Sequence, residues 1–238
     1  MNWFDYDGVN SITDLHAVVS SKSPFSSPEP DVSMQSVPGR SGDLIIDNGR
    51  YKNVDIRYDC AIVSEEPFSR AAQRIRAALL ARGPGYKVLA DSYDADYFRY
   101  ACIRKAVQIE QSGINDGTMT VTFDCKPYRY SFAGQIELVL TKSGAVLYNY
   151  EKSAALPYIK LVGSGAVNLS VNGIAFPVSD VDEFVEIDSE SMNTYKGTEN
   201  KNATTSALEY PELRPGENIV LWTGSVTAVH ILPRWRSL

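Results

Sequence analysis

Histidine is nearly missing from this sequence: His16 and His230 are the only two among 238 residues. Neither stands at the spacing to Cys, Asp or Glu that a metal site or a hydrolytic triad uses, and His230 alternates with Val229 and Ile231 as a strand residue does. Cysteine is scarce and odd in number. Cys60, Cys102 and Cys125 show no C-x-x-C spacing and lie in strand-like segments, so they are expected as buried, reduced thiols. No apolar run approaches the roughly 20 residues needed to span a bilayer. The opening MNWFDYDG has neither a basic n-region nor an apolar h-region, so synthesis in the cytosol with no membrane partner is expected. There is no block of Lys or Arg, and 23 basic against 29 acidic residues give a net charge of -6. That balance argues against nucleic acid or an anionic membrane as the main partner. Val162-Gly163-Ser164-Gly165 follows a strand but has no third glycine and no following helix, which makes it a turn rather than a dinucleotide fingerprint. No internal repeat is evident, and no cofactor is expected.

What is present suits a globular protein: 44% hydrophobic and 22% charged residues, in a chain long enough for one large or two ordinary domains. Trp3, Phe4 and Tyr6 open it, and Leu15, Val18 and Val19 mark a strand. Ser20 to Pro38 carries Pro24, Pro28, Pro30 and Pro38, which exclude a continuous helix or central strand and predict a long loop or arm. Val37 to Cys60 reads as a hairpin. Pro38-Gly39 and Ser41-Gly42 punctuate its start, Asp47-Asn48-Gly49 supplies the turn, and Val54, Ile56 and Tyr58 alternate with polar residues afterwards. Pro38, Gly39, Gly42 and Gly49 are the candidate structural turn residues.

Pro67 to Arg82 changes period. Phe68, Ala71, Ala72, Ile75, Leu79 and Leu80 recur at helical spacing between Pro67 and Gly83-Pro84-Gly85. Arg70, Arg74, Arg76 and Arg82 on its remaining surface fit a solvated face or a salt-bridged subunit contact better than a phosphate site. Strands follow at Tyr86 to Leu89, Tyr97 to Arg104, Ala106 to Glu110 and Met119 to Cys125, with a turn at Asn115-Asp116-Gly117. Asp91, Asp94 and Asp96 lack the Gly and closing Glu of a calcium loop and read as a polar turn.

Lys126-Pro127 interrupts the pattern, and Gly134 with Ser143-Gly144 marks a composition shift, predicting domains 1–133 and 134–238. Short strands fill the second: Ile136 to Leu140, Tyr158 to Val162, Val167 to Val171, Ile174 to Val178, Phe184 to Asp188 and Ile219 to Trp222. Asn172-Gly173 is a hairpin turn and Glu190 to Ala207 a polar loop, a pattern that favours an antiparallel sandwich or jelly roll. The acidic set Asp180, Asp182, Glu183, Glu186, Asp188 and Glu190 admits a glycosidase-like carboxylate pair, but strand alternation explains it more simply. Trp222, Trp235, Tyr148 and Tyr150 admit a sugar-stacking platform, and core or interface packing accounts for them equally well.

The ordered string P-G-R-x-G-D followed by G-x-Y-x-N-V-x-I, from Pro38 to Ile56, resembles the start of a siphophage distal tail protein. The likeness continues in the family's order: Phe68, Arg74-Ile75 and Leu79 in the helix; Tyr86 to Ala101; Phe123 to Tyr128 closing the first domain. It then runs through Pro157 to Gly165, Ile187-Asp188-Ser189 and Leu213 to Asn218. The resemblance implies a mainly β fold (α+β): an N-terminal β-sandwich-like ring domain with one helix and a hairpin, then a C-terminal galectin-like antiparallel β-sandwich. It also implies a non-enzymatic homo-hexamer at the virion tail tip. Its partners would be the tail tube protein and the tail-associated fibre, baseplate or receptor-binding protein, with DNA passing through unbound. No large insertion of the kind that adds a sugar-binding module is evident in the second domain. In the ring so implied, Asp43, Asp47 and Asp55 are candidates for facing the lumen. The alternative is a carbohydrate-binding β-sandwich module for host-surface glycans, which predicts a monomer that binds on a glycan array.

Overall fold

The computed structural model describes residues 1–23 and 26–238; Pro24, in the expected arm, lies outside the described residues. The chain divides into two compact units, Met1–Arg129 together with Leu238, and Tyr130–Ser237.

In the first unit the strands are β1 (Phe4–Tyr6), β2 (Val9–Asn10), β3 (Ala17–Lys22), β4 (Pro30–Gln35), β5 (Leu44–Tyr51), β6 (Val54–Val63), β7 (Lys87–Asp91), β8 (Tyr97–Ile103) and β9 (Gln108–Gln111). β10 (Asp116–Ser131) follows, and the one α-helix among the described residues, α1 (Phe68–Leu80), lies between β6 and β7. The main sheet runs β2-β1-β7-β8-β10-β6-β3, with β9 also on β10. Alternation decides which way β6 faces: Ile56, Tyr58, Cys60 and Ile62 are buried, while Asp55, Asp59 and Val63 point away from the core. Opposite them on β10, Phe123, Val121 and Met119 fill the same layer. α1 lays Phe68, Ala71, Ile75 and Leu79 on this layer, as its period dictates, with Pro67 at the N-cap. Phe4, Tyr58 and Phe123 pack ring against ring at 5.2–5.9 Å. Gly117 is required where helix and sheet meet, because a Cβ there would stand 2.3 Å from the Phe68 ring.

Two expectations fail in this unit. β10 continues through Lys126-Pro127 to Ser131. Pro127 lies past Cys125–Val54, the last pair with β6, so its missing N–H costs no bond to that strand. The hairpin is also displaced. Ser20 to Pro38 is not loop throughout, since β4 lies within it, and β4 pairs with β5 as a separate two-stranded ribbon. The expected turn at Asp47-Asn48-Gly49 sits inside β5, where the pairing slips between Pro30 and Val32. Gly49, at φ 69°, donates its N–H to Asp47 Oδ1 at 2.8 Å. The positive-φ preference read as a turn is absorbed there as an irregularity within a strand. The loop that reverses the chain is 36–43, in which Gly39 and Gly42 have φ of 78° and 83°.

The second unit holds β11 (Leu138–Leu140), β12 (Ala145–Asn149), β13 (Tyr158–Val171), β14 (Ile174–Asp188), β15 (Asn193–Lys196), β16 (Glu199–Asn200), β17 (Gly216–Leu232) and β18 (Arg236–Ser237). Its sheet runs β11-β17-β13-β14-β15-β16, with β12 on β17, all antiparallel. Segments expected as separate short strands are continuous: β13, β14 and β17 are 14, 15 and 17 residues long. Each half of these strands buries alternate residues in one shared cluster, including Leu169, Phe176 and Val220 from one half and Ile159, Val185 and Ile231 from the other. Val162 to Gly165 is therefore strand interior and not a turn, with register shifts at Val162/Gly163 and Ser164/Asn168 against β17 and at Gly165/Val167 against β14. Gly163 permits the close approach there, since a Cβ would meet Ser225 O at 2.2 Å. Asn172-Gly173 does turn the chain, with φ of 53° and 83°. Glu190 to Ala207 contains β15 and β16 rather than loop alone.

Candidate assembly surface

The β4–β5 ribbon is the least buried regular element of the first unit: every residue of β5 is exposed. Directly opposed residues share a face of an antiparallel pair. Met34 opposite Ile45, with Val32, therefore lies on one face, and Ile46 opposite Ser33, with Leu44, lies on the other. Met34, Ile45 and Ile46 are 59%, 62% and 44% exposed. Apolar side chains thus project from both faces, and among the described residues the ribbon's strands pair only with each other. At its base Arg50 Nε meets Asp31 at 2.7 Å and Lys52 meets Glu29 at 3.5 Å. Exposed pairs of this kind act mainly on register rather than on stability. Isolated two-stranded ribbons are marginal in water, and exposed apolar side chains on both faces mark this one as a candidate contact element.

The candidate acids fall in two places. Asp43 precedes β5 in the loop and Asp47 stands in β5 opposite Val32, both exposed. Asp55 is on β6, in the main sheet, and its carboxylate is 2.5 Å from Lys105 Nζ. The structure groups Asp43 with Asp47 and gives Asp55 a cation of its own. Of the helix arginines, Arg74 bonds Glu66 at 2.9 Å and Arg82 reaches Asp7 at 3.7 Å, while Arg70 and Arg76 are exposed.

A charged cluster that sequence reasoning missed lies beneath the strand leading to the ribbon. Lys22 Nζ is 2.6 Å from Asp91, with both side chains about nine-tenths buried. Asp91 also accepts the Tyr58 hydroxyl and the N–H groups of Tyr93 and Asp94, at 2.9 and 3.2 Å. Burial, then the Asp91 charge and hydrogen bond, push the Tyr58 phenol far above its ordinary range. Asp94 in turn bonds Arg129 at 2.6 Å. The adjoining cavity, about 50 Å³, has room for roughly one or two waters. A buried, fully bonded ion pair is a positioning device, holding the end of β3 against β7.

The remaining candidates are structural. Burial lifts the Cys60 and Cys125 thiols to about 12, whereas Cys102 is only partly buried, short of the full burial expected for all three. Among the described residues no group of three His, Cys, Asp or Glu is placed to hold a metal. Of the second unit's acidic set, Asp182 and Glu183 share Lys196, Glu186 accepts the Tyr158 hydroxyl, and Asp188 holds Arg234. His230 faces Glu137 at 3.1 Å. Trp222 and Trp235 pack on the second core, while Tyr148 and Tyr150, 4.5 Å apart and tilted 49°, are exposed. The four aromatics therefore do not form one platform.

A mainly β chain of two units, the first with a single α-helix among the described residues and a separate two-stranded ribbon and the second built on an antiparallel sheet, has the fold of phage distal tail proteins. Two solved structures share it across nearly their whole length. The SPP1 Dit protein, described as a paradigm of the hub adsorption apparatus in Gram-positive infecting phages, aligns at a TM-score of 0.73 and 13% identity, over 97% of this chain and 98% of that one. A chain of the phage P2 baseplate in its activated conformation with Ca aligns at 0.52 and 10%, over 97% of each. No protein-family model and no curated protein sequence matches.

Proposed function

We propose that this chain is a structural hub subunit of a long non-contractile phage tail. Six copies close into a ring that joins the tail tube to the fibre or baseplate proteins at the tail tip and lets DNA pass. The observation that carries the reading is the ribbon: apolar on both faces and open along its edges, it is shaped to be enclosed by neighbouring copies. The fold shared with the SPP1 hub protein supports it.

A native mass spectrum tests this. The expected species is six times the 26.3 kDa subunit. Met34→Lys on one face or Ile46→Lys on the other should each shift the protein to monomer while leaving both cores folded, because neither side chain belongs to a core in the single chain. A monomeric parent, or variants that assemble as well as the parent, would overturn the reading.

A further inference from the structure

The outer face of one half of the second unit's sheet is uncharged across four adjacent strands. Val146 on β12 stands opposite Ile219 on β17. The next row is Leu221, Ser170 and Ala175, and the one after it Thr223, Asn168 and Pro177, each running β17 to β13 to β14. Glu217, opposite Tyr148, marks the border. Val146, Tyr148, Ile219 and Leu221 are each about half exposed and Tyr150 is 83% exposed, so the β12 side of the face is an apolar ridge. Its far side is a groove of about 450 Å³, where Asn168, Thr223 and Ser206 present amide and hydroxyl groups. β12 itself pairs only with β17 among the described residues, which leaves its other edge open.

We infer that this face is the docking surface for another tail protein, which adds an extended, uncharged, apolar-alternating segment to the free edge of β12 and widens the ridge with side chains set beside Val146 and Tyr148. This rests on the hub reading and names where the next component attaches. The open edge specifies the occupant. Only an extended backbone pairs with it, and alternate side chains of that strand would stand beside Val146 and Tyr148 at the margin of the ridge. An exposed apolar edge without such an occupant is an aggregation hazard, which soluble proteins blunt with charge, and none is placed here. The lack of charge further implies an association that added salt does not weaken.

The test uses purified phage particles carrying Leu221→Glu or, separately, Val146→Lys, with each tail protein quantified by mass spectrometry against the tube protein. This chain should stay at its parental ratio while one other tail-tip protein falls roughly tenfold or more, as a charge buried in the contact would bring. Tyr148→Ser with Tyr150→Ser, which places no charge on the sheet, should lower the same protein, so a folding defect in the first variants does not decide the matter. Parental ratios throughout overturn the inference, as does loss of this chain itself, which would mean that the face lies between its own copies. Unchanged ratios with binding on a glycan array would assign the face to sugars, again overturning it. If the chain is absent from parental particles, the hub reading fails first.

Discussion

Asp188 and Arg234 carry the best-formed ion pair of the second unit, with contacts of 2.7 and 3.3 Å and side chains 17% and 20% exposed. Burial opposes ionisation of Asp188, yet the Arg234 hydrogen bond and charge, with the N–H groups of Ser191 and Glu190, outweigh it and hold the carboxyl below the usual range. Stability from such a group is present above the ~3.9 of an unfolded Asp and is lost as pH falls through the depressed folded value. Asp188→Asn should therefore lower stability by about 1–3 kcal/mol at pH 7, and by progressively less as pH falls from below ~3.9 through the depressed folded value. Melts across that range check this, and an equal loss throughout would mean that the pair contributes nothing through charge. Pairings like this one were not legible in the sequence. Lys22 and Asp91 are 69 positions apart and meet only because β3 and β7 are brought together in the fold. Asp91 read as one of three acids in a turn, since nothing local distinguishes the buried one.

Among elements, α1 was legible nearly to the residue, because a 13-residue amphipathic run ending in Gly-Pro-Gly has few other ways to bury its stripe. The ribbon was not. Asp47-Asn48-Gly49 satisfies a hairpin turn and a strand irregularity equally well, and only the partner strand decides between them. In the second unit short strands were legible but their continuity was not, since a glycine that permits two backbones to approach looks like a glycine that ends a strand. Whether that unit folds alone is open to a direct trial. Residues 130–237 should melt cooperatively and remain monomeric, because their core cluster is complete within the fragment. A start at Gly134, the junction expected from composition, forfeits the bond from Ser131 N–H to Trp235 O and should melt lower. A collapsed amide spectrum from the longer fragment would count against independence.

At the scale of the whole molecule, a ring that DNA traverses must not hold phosphates, and each Lys or Arg contact would add salt-sensitive affinity. The net charge of -6 per chain suits that requirement without placing the charges. We propose Asp43, Asp47 and Asp55 as lumen-facing. In the proposed ring, replacing Asp43 and Asp55 with Lys, both outside the paired strands of the ribbon, should leave assembly intact but make the ring retain double-stranded DNA in low salt, with retention fading as salt is added. Part of the gain at Asp55 would come from releasing Lys105. Gel-shift titration reads the result. If the parent ring binds DNA near physiological ionic strength, the lumen assignment is wrong and the exposed Arg70 and Arg76 are the contacts to remove next.

The chain enters and leaves the second unit at one place: Ser131 N–H bonds Trp235 O, Arg234 N–H bonds Gly134 O, and a Cβ on Gly134 would stand 2.4 Å from Trp235 N. A unit whose two ends are clasped together behaves as a cassette. Such a unit can be lengthened or exchanged for another of similar footing, and its sequence can drift under packing rules of its own. Over evolutionary time, that clasp lets the interior of the unit change while the place where the chain enters it stays fixed.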